Sequence, residues 1–430
     1  MAARKASVPR GYRKALETGR PPTIRALFPH SSALIVSGKV IDRAMLAKGR
    51  AVALAANGRN AFVIRGVLRA AQRANAALIV EIAKSEGGTQ AYCAVNYWNL
   101  ARLVDTFCNE MGITVPVAIH ADHYGIKGPK DVEAAKTEIP SMFEAGVTSI
   151  AIDASHLPDA ENLLASIALN PLVPRWAGLE TEVGEIKGAQ GLSTLEEALF
   201  LIRGLNAHGI FPDWIALNNG TTHGIEESDS GIQVELTRTI HEGLTPYGVS
   251  GAQHGTSGNS SERLRAIAET TRTTKANVAT SLQMISWGLE VNDYGNAFLD
   301  GQGRFVKHSD RGMSDALWEE MVAYADARGF KPGDYKKLNL PFENKLLAQP
   351  RAIRERMVRG VEEFAYHLIR RVFRSEDTAP LALEILLESG YRVPSKARRI
   401  EKPADWTPER IREQAAALQS DKGPQGNFDD

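Results

Sequence analysis

The stretch Val115-Pro116-Val117-Ala118-Ile119-His120-Ala121-Asp122-His123-Tyr124-Gly125 decides how the rest of the chain is read. Its first half is a short apolar run, the pattern of a parallel strand buried on both faces. The tip then changes to two histidines and an aspartate. Buried charge is costly unless it is paired or bound to a metal. Two readings meet that cost: a hydrogen-bonded polar cluster closing a strand end, or a metal ligand beside a general acid/base. Along a strictly alternating strand His120 and His123 face opposite ways, which gives His120 a supporting hydrogen-bonding role beside Asp122 and His123.

The same unit recurs on either side. Apolar strand candidates at 51–55, 77–82, 115–125, 148–153, 178–184, 214–218, 248–253 and 275–279 alternate with helical spacing at 62–74, 97–111, 131–145, 159–167, 196–208, 232–243 and 261–271. Pro140 is expected to divide the third of these helices. Such alternation predicts an α/β fold of parallel strands and crossover helices. Eight units within ~250 residues fit a (β/α)8 TIM barrel better than an open doubly wound sheet. The expected organisation is an N-terminal arm over 1–45 and the barrel over 46–310. C-terminal helices over 311–375, including one at 352–373, then pack on the barrel or on a partner subunit. A polar extension over 376–430 follows, its tail from 420 disordered.

Among 430 residues, 51 Lys and Arg balance 51 Asp and Glu, so no global charge argues for nucleic acid or acidic membranes. The basic cluster Arg4, Lys5, Arg10, Arg13, Lys14 and Arg20 lacks the apolar core of a signal peptide and is expected to be a solvated or oligomer-contacting arm. No apolar run approaches the ~20 residues that span a bilayer. Cys93 and Cys108 show neither metal-binding spacing nor a disulfide framework and suit a reducing compartment. A soluble cytoplasmic protein without nucleic-acid or membrane partners is the expectation.

Chemistry in such a barrel sits at the carboxyl ends of the strands. The successive exits carry Ser85, Gly87 and Gly88, then Asp122 and His123, then Asp153, Ser155 and His156, then Glu180 and Glu182. The later ones carry His223-Gly224, His254-Gly255-Thr256-Ser257-Gly258, and Asn277 with Thr280 and Ser281. His123, His223 and His254, from three strands, can offer three neutral imidazoles to Zn2+ or another divalent cation and leave a fourth position open. Asp153 and Glu182 are oxygen donors that can hold a second metal or monovalent cation, or tune the first. The glycines after His223 and His254 either permit tight turns or bring backbone N–H groups to a phosphate.

Taken in order, these segments resemble the class II, metal-dependent fructose-bisphosphate aldolases over roughly residues 50–300, with a looser likeness to about 370. His120-Ala121-Asp122-His123 is similar to the family's His-x-Asp-His, and Ile152-Asp153-Ala154-Ser155-His156-Leu157-Pro158 with Glu161-Asn162 to Ile-Asp-Gly-Ser-x-Leu-Pro and Glu-Asn. Glu180-Thr181-Glu182-Val183-Gly184 resembles Glu-x-Glu-Leu-Gly, and Lys275-Ala276-Asn277-Val278 resembles Lys-x-Asn-Ile/Val. Thr222-His223-Gly224 and His254-Gly255-Thr256-Ser257-Gly258 are similar to the two remaining histidine motifs.

The resemblance implies a zinc-dependent lyase of glycolysis and gluconeogenesis that cleaves fructose 1,6-bisphosphate reversibly to dihydroxyacetone phosphate and glyceraldehyde 3-phosphate. It assigns the metal to His123, His223 and His254, with Asp153 and Glu182 nearby, and acid/base work to Asp122 and Glu182. It assigns substrate and phosphate contacts to Ser85, Gly224, Gly255, Ser257, Asn277 and Thr280, and a homodimer or larger homo-oligomer to the assembly. Three departures stand out. The loop Glu185-Ile186-Lys187-Gly188-Ala189-Gln190-Gly191 has no acid after Gly188 to act as base. Ala279-Thr280-Ser281 replaces an acid-bearing segment, and the distal-phosphate arginine has only Lys345 or Arg351 as loose counterparts. The alternatives are the same chemistry on tagatose bisphosphate or another ketose phosphate, a metal-dependent barrel hydrolase, and an inactive homologue.

Overall fold

Strands rich in alanine and β-branched residues pair side by side in the computed structural model, which describes residues 9–89, 91–184, 191–221, 231–292 and 295–418. They are β1 (Ile35–Val36), β2 (Ala53–Asn57), β3 (Leu78–Ala83), β4 (Val117–Gly125), β5 (Ser149–Asp153), β6 (Gly178–Val183), β7 (Trp214–Leu217), β8 (Ser250–Gln253) and β9 (Thr273–Val278), all parallel. Strands β2 to β9 follow one another round a closed circle, and β9 returns to β2 with Ala53 opposite Lys275 and Ala55 opposite Asn277. The architecture is the expected (β/α)8 TIM barrel. Alternation divides its residues. Leu54, Val80, Ile119, Ile150 and Ile215 pack outward on the helices, while Ala55, Ile79, Ala118, Trp214 and Ala252 form a separate inner cluster.

The first helices are α1 (Tyr12–Thr18), α2 (Pro22–Leu27) and α3 (Gly38–Lys48). Helix α3 crosses residue 45, where the arm was expected to end, and plugs the amino-terminal mouth of the barrel. Its Val40, Ile41, Ala44 and Met45 join the inner cluster. A side chain at Gly38 would stand 2.7 Å from Ser149, so only glycine fits where the plug meets β5. Arg20, expected on a solvated arm, is instead buried, donating to the carbonyls of Leu16 at 2.8 Å and Phe28 at 3.1 Å. The arginine thereby ties the last turn of α1 to the residue that follows α2.

Around the barrel run α4 (Ala61–Ala74), α5 (Lys84–Gly87), α6 (Leu100–Met111), α7 (Pro129–Glu144), α8 (Asp159–Leu169), α9 (Leu195–Ala207), α10 (Val234–Gly243) and α11 (Ser261–Thr270). Helix α7 continues through Pro140 instead of dividing. The ring costs the carbonyl of Lys136 its donor on a face where Lys136 and Thr137 are exposed, and water can replace it. After β9 the chain forms α12 (Thr280–Trp287), α13 (Asp315–Ala327) and α14 (Asn339–Leu347) before α15 (Arg351–His367). Helix α15 is the eighth barrel helix. It packs on α4 at Gly66, where a Cβ would stand 2.5 Å from Val361. The barrel is thus closed by a helix that follows a long excursion with its own core of Trp287, Trp318, Met321 and Phe342.

Beyond it, α16 (Ala379–Ser389) packs on α1 and α3, and α17 (Pro408–Ala416) on α8 and α9. Lys396 reaches under the barrel to Asp42 at 2.7 Å and Ser250 at 2.6 Å. The segment 376–418 is folded; 419–430, where the disordered tail was expected, lies outside the described residues. No helix among the described residues is long and apolar enough to cross a membrane.

His241 on α10 is buried against Gly251, and that burial, with Arg272 close by, lowers its imidazole to about 4. The folded state therefore refuses a proton that the unfolded chain accepts. Stability is complete above the unfolded value near 6.5 and is lost as pH falls towards 4. Urea unfolding at neutral pH and at about pH 4.5 is expected to show His241→Gln losing ~2 kcal/mol less than the parent on acidification. Equal losses in both proteins would refute this.

Candidate active site

The inward residues change character abruptly towards the carboxyl ends of the strands. Glu81 on β3, His120 on β4, Glu180 on β6 and Lys275 on β9 are all fully buried. Lys275 Nζ stands 2.9 Å from Glu180, 3.2 Å from Glu81 and 3.2 Å from Asp122. One ammonium among three carboxylates offsets part of their desolvation and sets their proton affinities. Burial, the largest single influence, works against the charges of Asp122 and Glu180, but Lys275 and the neighbouring histidines together outweigh it and hold both well below the usual carboxylate range. Glu81 goes the other way, since burial and the neighbouring Asp122 push its carboxyl well up. The three acids reinforce the Lys275 charge in return, overcoming its burial.

Asp122 is held from every side. Asn277 Nδ2 donates to both its carboxylate oxygens at 2.9 Å, and the Tyr97 hydroxyl donates to its backbone carbonyl at 3.0 Å. The next residue breaks the strand's alternation. The register of β4 against β5 shifts between Ala121 and Tyr124, and His123 adopts φ +41°, a conformation rare outside glycine and asparagine. This bulge turns Asp122 and His123 to the same side, so the expected opposition of His120 and His123 does not hold. His120 also points inward, with Nδ1 2.7 Å from the Ser149 hydroxyl and Nε2 3.4 Å from Glu180. Its supporting place is as expected; its direction is not.

His123 meets the neighbouring exits through Nδ1, 3.1 Å from Glu182 and 3.7 Å from Asp153. Its ring stands edge-on to that of His254, with centroids 4.1 Å apart. His254 Nε2 is 2.8 Å from Glu180, while its Nδ1 is buried without a hydrogen-bond partner among the described residues and faces Glu182 at 3.6 Å. Burial and His123 lower the His254 imidazole to about 4, which keeps it neutral and able to donate a lone pair. Glu182 is pushed well up, first by burial and then by Asp153. The trios Asp122, His123 and His254; His123, Asp153 and Glu182; and Glu180, Glu182 and His254 each bring ligand atoms within 4.8 Å of one another. An orphaned neutral imidazole nitrogen among carboxylates, with its other nitrogen fixed by Glu180, fits a divalent cation.

The remaining expected residues lie around this centre or outside view. His223, Gly224 and the loop with Glu185 and Gly188 fall outside the described residues. Ser85 is in α5 at the exit of β3, and Gly255 takes φ +59° after β8. Ser257 lines a cavity of about 270 Å3 with Ser281, Phe364 and His367. Thr280 is the first residue of α12, its hydroxyl 3.4 Å from Arg59. Arg59 in turn bonds Glu86 at 2.6 Å and Gln283 at 3.0 Å, tying the exits of β2, β3 and β9 together. Glu81, Glu180, Lys275, Tyr97 and Arg59 received no role from the sequence. The charges in buried strands were the available signal, because each demanded a partner.

The model of the family described as Fructose-bisphosphate aldolase class-II matches residues 39–374. The fructose-bisphosphate aldolase of Streptococcus pneumoniae serotype 4 is 29% identical over 321 residues, 73% of this chain and 96% of that protein. That of Mycoplasma pneumoniae is 34% identical over 172 residues, 36% of this chain and 55% of its own. Among solved structures, the YdjI aldolase of Escherichia coli K12 shares the fold with a TM-score of 0.53 at 17% identity, covering 80% of this chain and 99% of that one. The fructose-bisphosphate aldolase of Campylobacter jejuni does so with a TM-score of 0.51 at 18% identity, covering 80% and 97%.

Proposed function

Because the chain belongs to the class-II fructose-bisphosphate aldolase family, we propose that it is a metal-dependent lyase cleaving fructose 1,6-bisphosphate reversibly into dihydroxyacetone phosphate and glyceraldehyde 3-phosphate. The observation that carries this is the junction of two systems at residues 122 and 123. A carboxylate clamped by Lys275 and Asn277 lies beside a cluster of imidazoles and acids suited to a divalent cation.

His123 and His254, joined by His223, would hold Zn2+ or another divalent ion, with Asp153 and Glu182 as oxygen donors to it or to a second cation. When bound, the ion acts as a Lewis acid on the ketone and on the negative charge that develops there. The chain's own groups move the protons. Asp122 takes the proton of the C4 hydroxyl as the C3–C4 bond breaks; the O–H electron pair becomes part of the aldehyde carbonyl, and the bond pair stays with C3. Asn277 keeps the two Asp122 oxygens aimed at one place. Glu182 is the reading's second proton carrier. Burial, then Asp153, pushes its carboxyl up and so favours the protonated form that would supply C3, a supply the loop after Gly188 lacks. Ser85, Gly224, Gly255, Ser257 and Thr280 would receive phosphate, and Thr280 opens α12, where free N–H groups favour an anion.

A coupled assay of triose phosphate release tests the reading. Chelator-treated protein is expected to lose ~100-fold or more in kcat and to regain it with added Zn2+. His254→Ala is expected to lower bound metal by elemental analysis, independently of activity. Full turnover after chelation would refute the metal role. Ala279 and Ser281 stand where the resemblance puts acids, so tagatose 1,6-bisphosphate belongs in the same assay, and the ratio of kcat/KM values decides between the two sugars.

A further inference from the structure

At the opposite mouth of the barrel, a cavity of about 600 Å3 opens among Lys39 of α3, Arg175 before β6, His208, Gly209 and Phe211 before β7, and Ser395 of the C-terminal segment. Lys39 is only 7% exposed, and its Nζ makes one hydrogen bond among the described residues, to the Arg175 carbonyl at 2.8 Å. A carbonyl does not neutralise an ammonium. Asp213, the acid that acts on Lys39, is already taken, 3.2 Å from Arg43 through one oxygen and accepting the Leu179 amide at 3.1 Å through the other. Among the described residues no aspartate or glutamate lines the cavity. The guanidinium of Arg399 adds a further cation, lying against Gly209 so closely that a Cβ there would stand 2.5 Å from it.

A buried ammonium with spare donors, facing an open cavity that Arg175 also lines, is costly as it stands. An oxyanion would remove that cost, accepting from Lys39 as a point charge and from Arg175 as a fork. We propose that this cavity binds a small, multiply charged oxyanion, a phosphorylated metabolite by class, at the end of the barrel away from the aldolase site. The inference stands on this cavity alone and does not depend on the catalytic reading.

Pyridoxal 5′-phosphate is a direct probe, because its aldehyde forms an imine with an unprotonated amine while its phosphate seeks cations. Burial, only partly offset by Asp213, lowers the Lys39 ammonium and favours that reaction. After borohydride reduction and peptide mapping of the full-length protein, Lys39 is expected to label at least ~10-fold ahead of the exposed Lys48. Inorganic phosphate is expected to protect it, and Arg175→Ala to weaken that protection roughly tenfold. Equilibrium dialysis with inorganic phosphate is expected to show one fewer ion per chain in Lys39→Met, with the parent's KM for sugar phosphate kept. Labelling of Lys39 no faster than Lys48, or labelling that saturating phosphate leaves unchanged, would overturn the proposal. An unaltered phosphate count in a folded Lys39→Met protein would overturn it equally.

Discussion

Asp122→Asn is expected to turn over fructose 1,6-bisphosphate ~10²–10⁴-fold more slowly than the parent while holding the same amount of metal. The substitution keeps the shape of the side chain and one oxygen to accept from Lys275 and Asn277. It removes the ability to take and return a proton. Of the trios that could hold a cation, that of His123, Asp153 and Glu182 does not include Asp122, so the substitution leaves a set of donors in place. A kcat reduced by less than about tenfold, or a parallel loss of kcat and bound metal, would show that Asp122 is not the proton carrier. Elemental analysis beside the coupled assay separates those outcomes.

That division of labour was only half legible in the sequence. The apolar runs around 115–119, 150–152 and 214–217 announced parallel strands because nothing polar interrupts them, and residues such as Asp122 and Asp153 fell at the exits of the first two, as Glu182 and His254 did at the exits of the strands at 178–184 and 248–253. Position along a strand is a local property, and the sequence carries it directly. Direction is not. Strict alternation put His123 opposite His120, whereas one irregular step at residues 121–124 and a φ of +41° bring them to the same side. No residue in Ala121-Asp122-His123-Tyr124 marks a bulge, since glycine, the usual marker, is absent.

The eighth helix was hidden for a different reason. Its apolar spacing over 352–373 was plain, but an excursion with its own core separates it from β9, and only the close fit of Val361 on Gly66 shows where it belongs. Helix α3 escaped in turn because its burial comes from a barrel mouth formed by strands far ahead in the chain.

Lys275→Met carries the second large expectation, a loss of about 3–5 kcal/mol in unfolding free energy, the usual consequence of removing one partner from a buried charge cluster. The methionine replaces the volume of the stem but leaves Glu81, Asp122 and Glu180 facing one another without a cation. The sign of the pH dependence should change with it. In the parent, Asp122 and Glu180 are held well below their unfolded values, so they contribute stability above the ordinary carboxylate range and lose it on acidification. Without Lys275, burial is the largest remaining influence and raises them; their folded forms then prefer protons, and stability falls as pH rises through their new range. Urea unfolding of Lys275→Met is therefore expected to give a higher midpoint at about pH 5 than at about pH 8, the reverse of the contribution these acids make in the parent. Adding Glu180→Gln removes one of the stranded charges and is expected to recover part of the loss, a coupling that a double-mutant cycle reads directly. Independent, additive effects of the two substitutions, or an unchanged pH slope, would mean that Lys275 is not what holds the acids of the barrel in their charged state. Asp122 would then need another source for the acidity that its place beside the substrate requires.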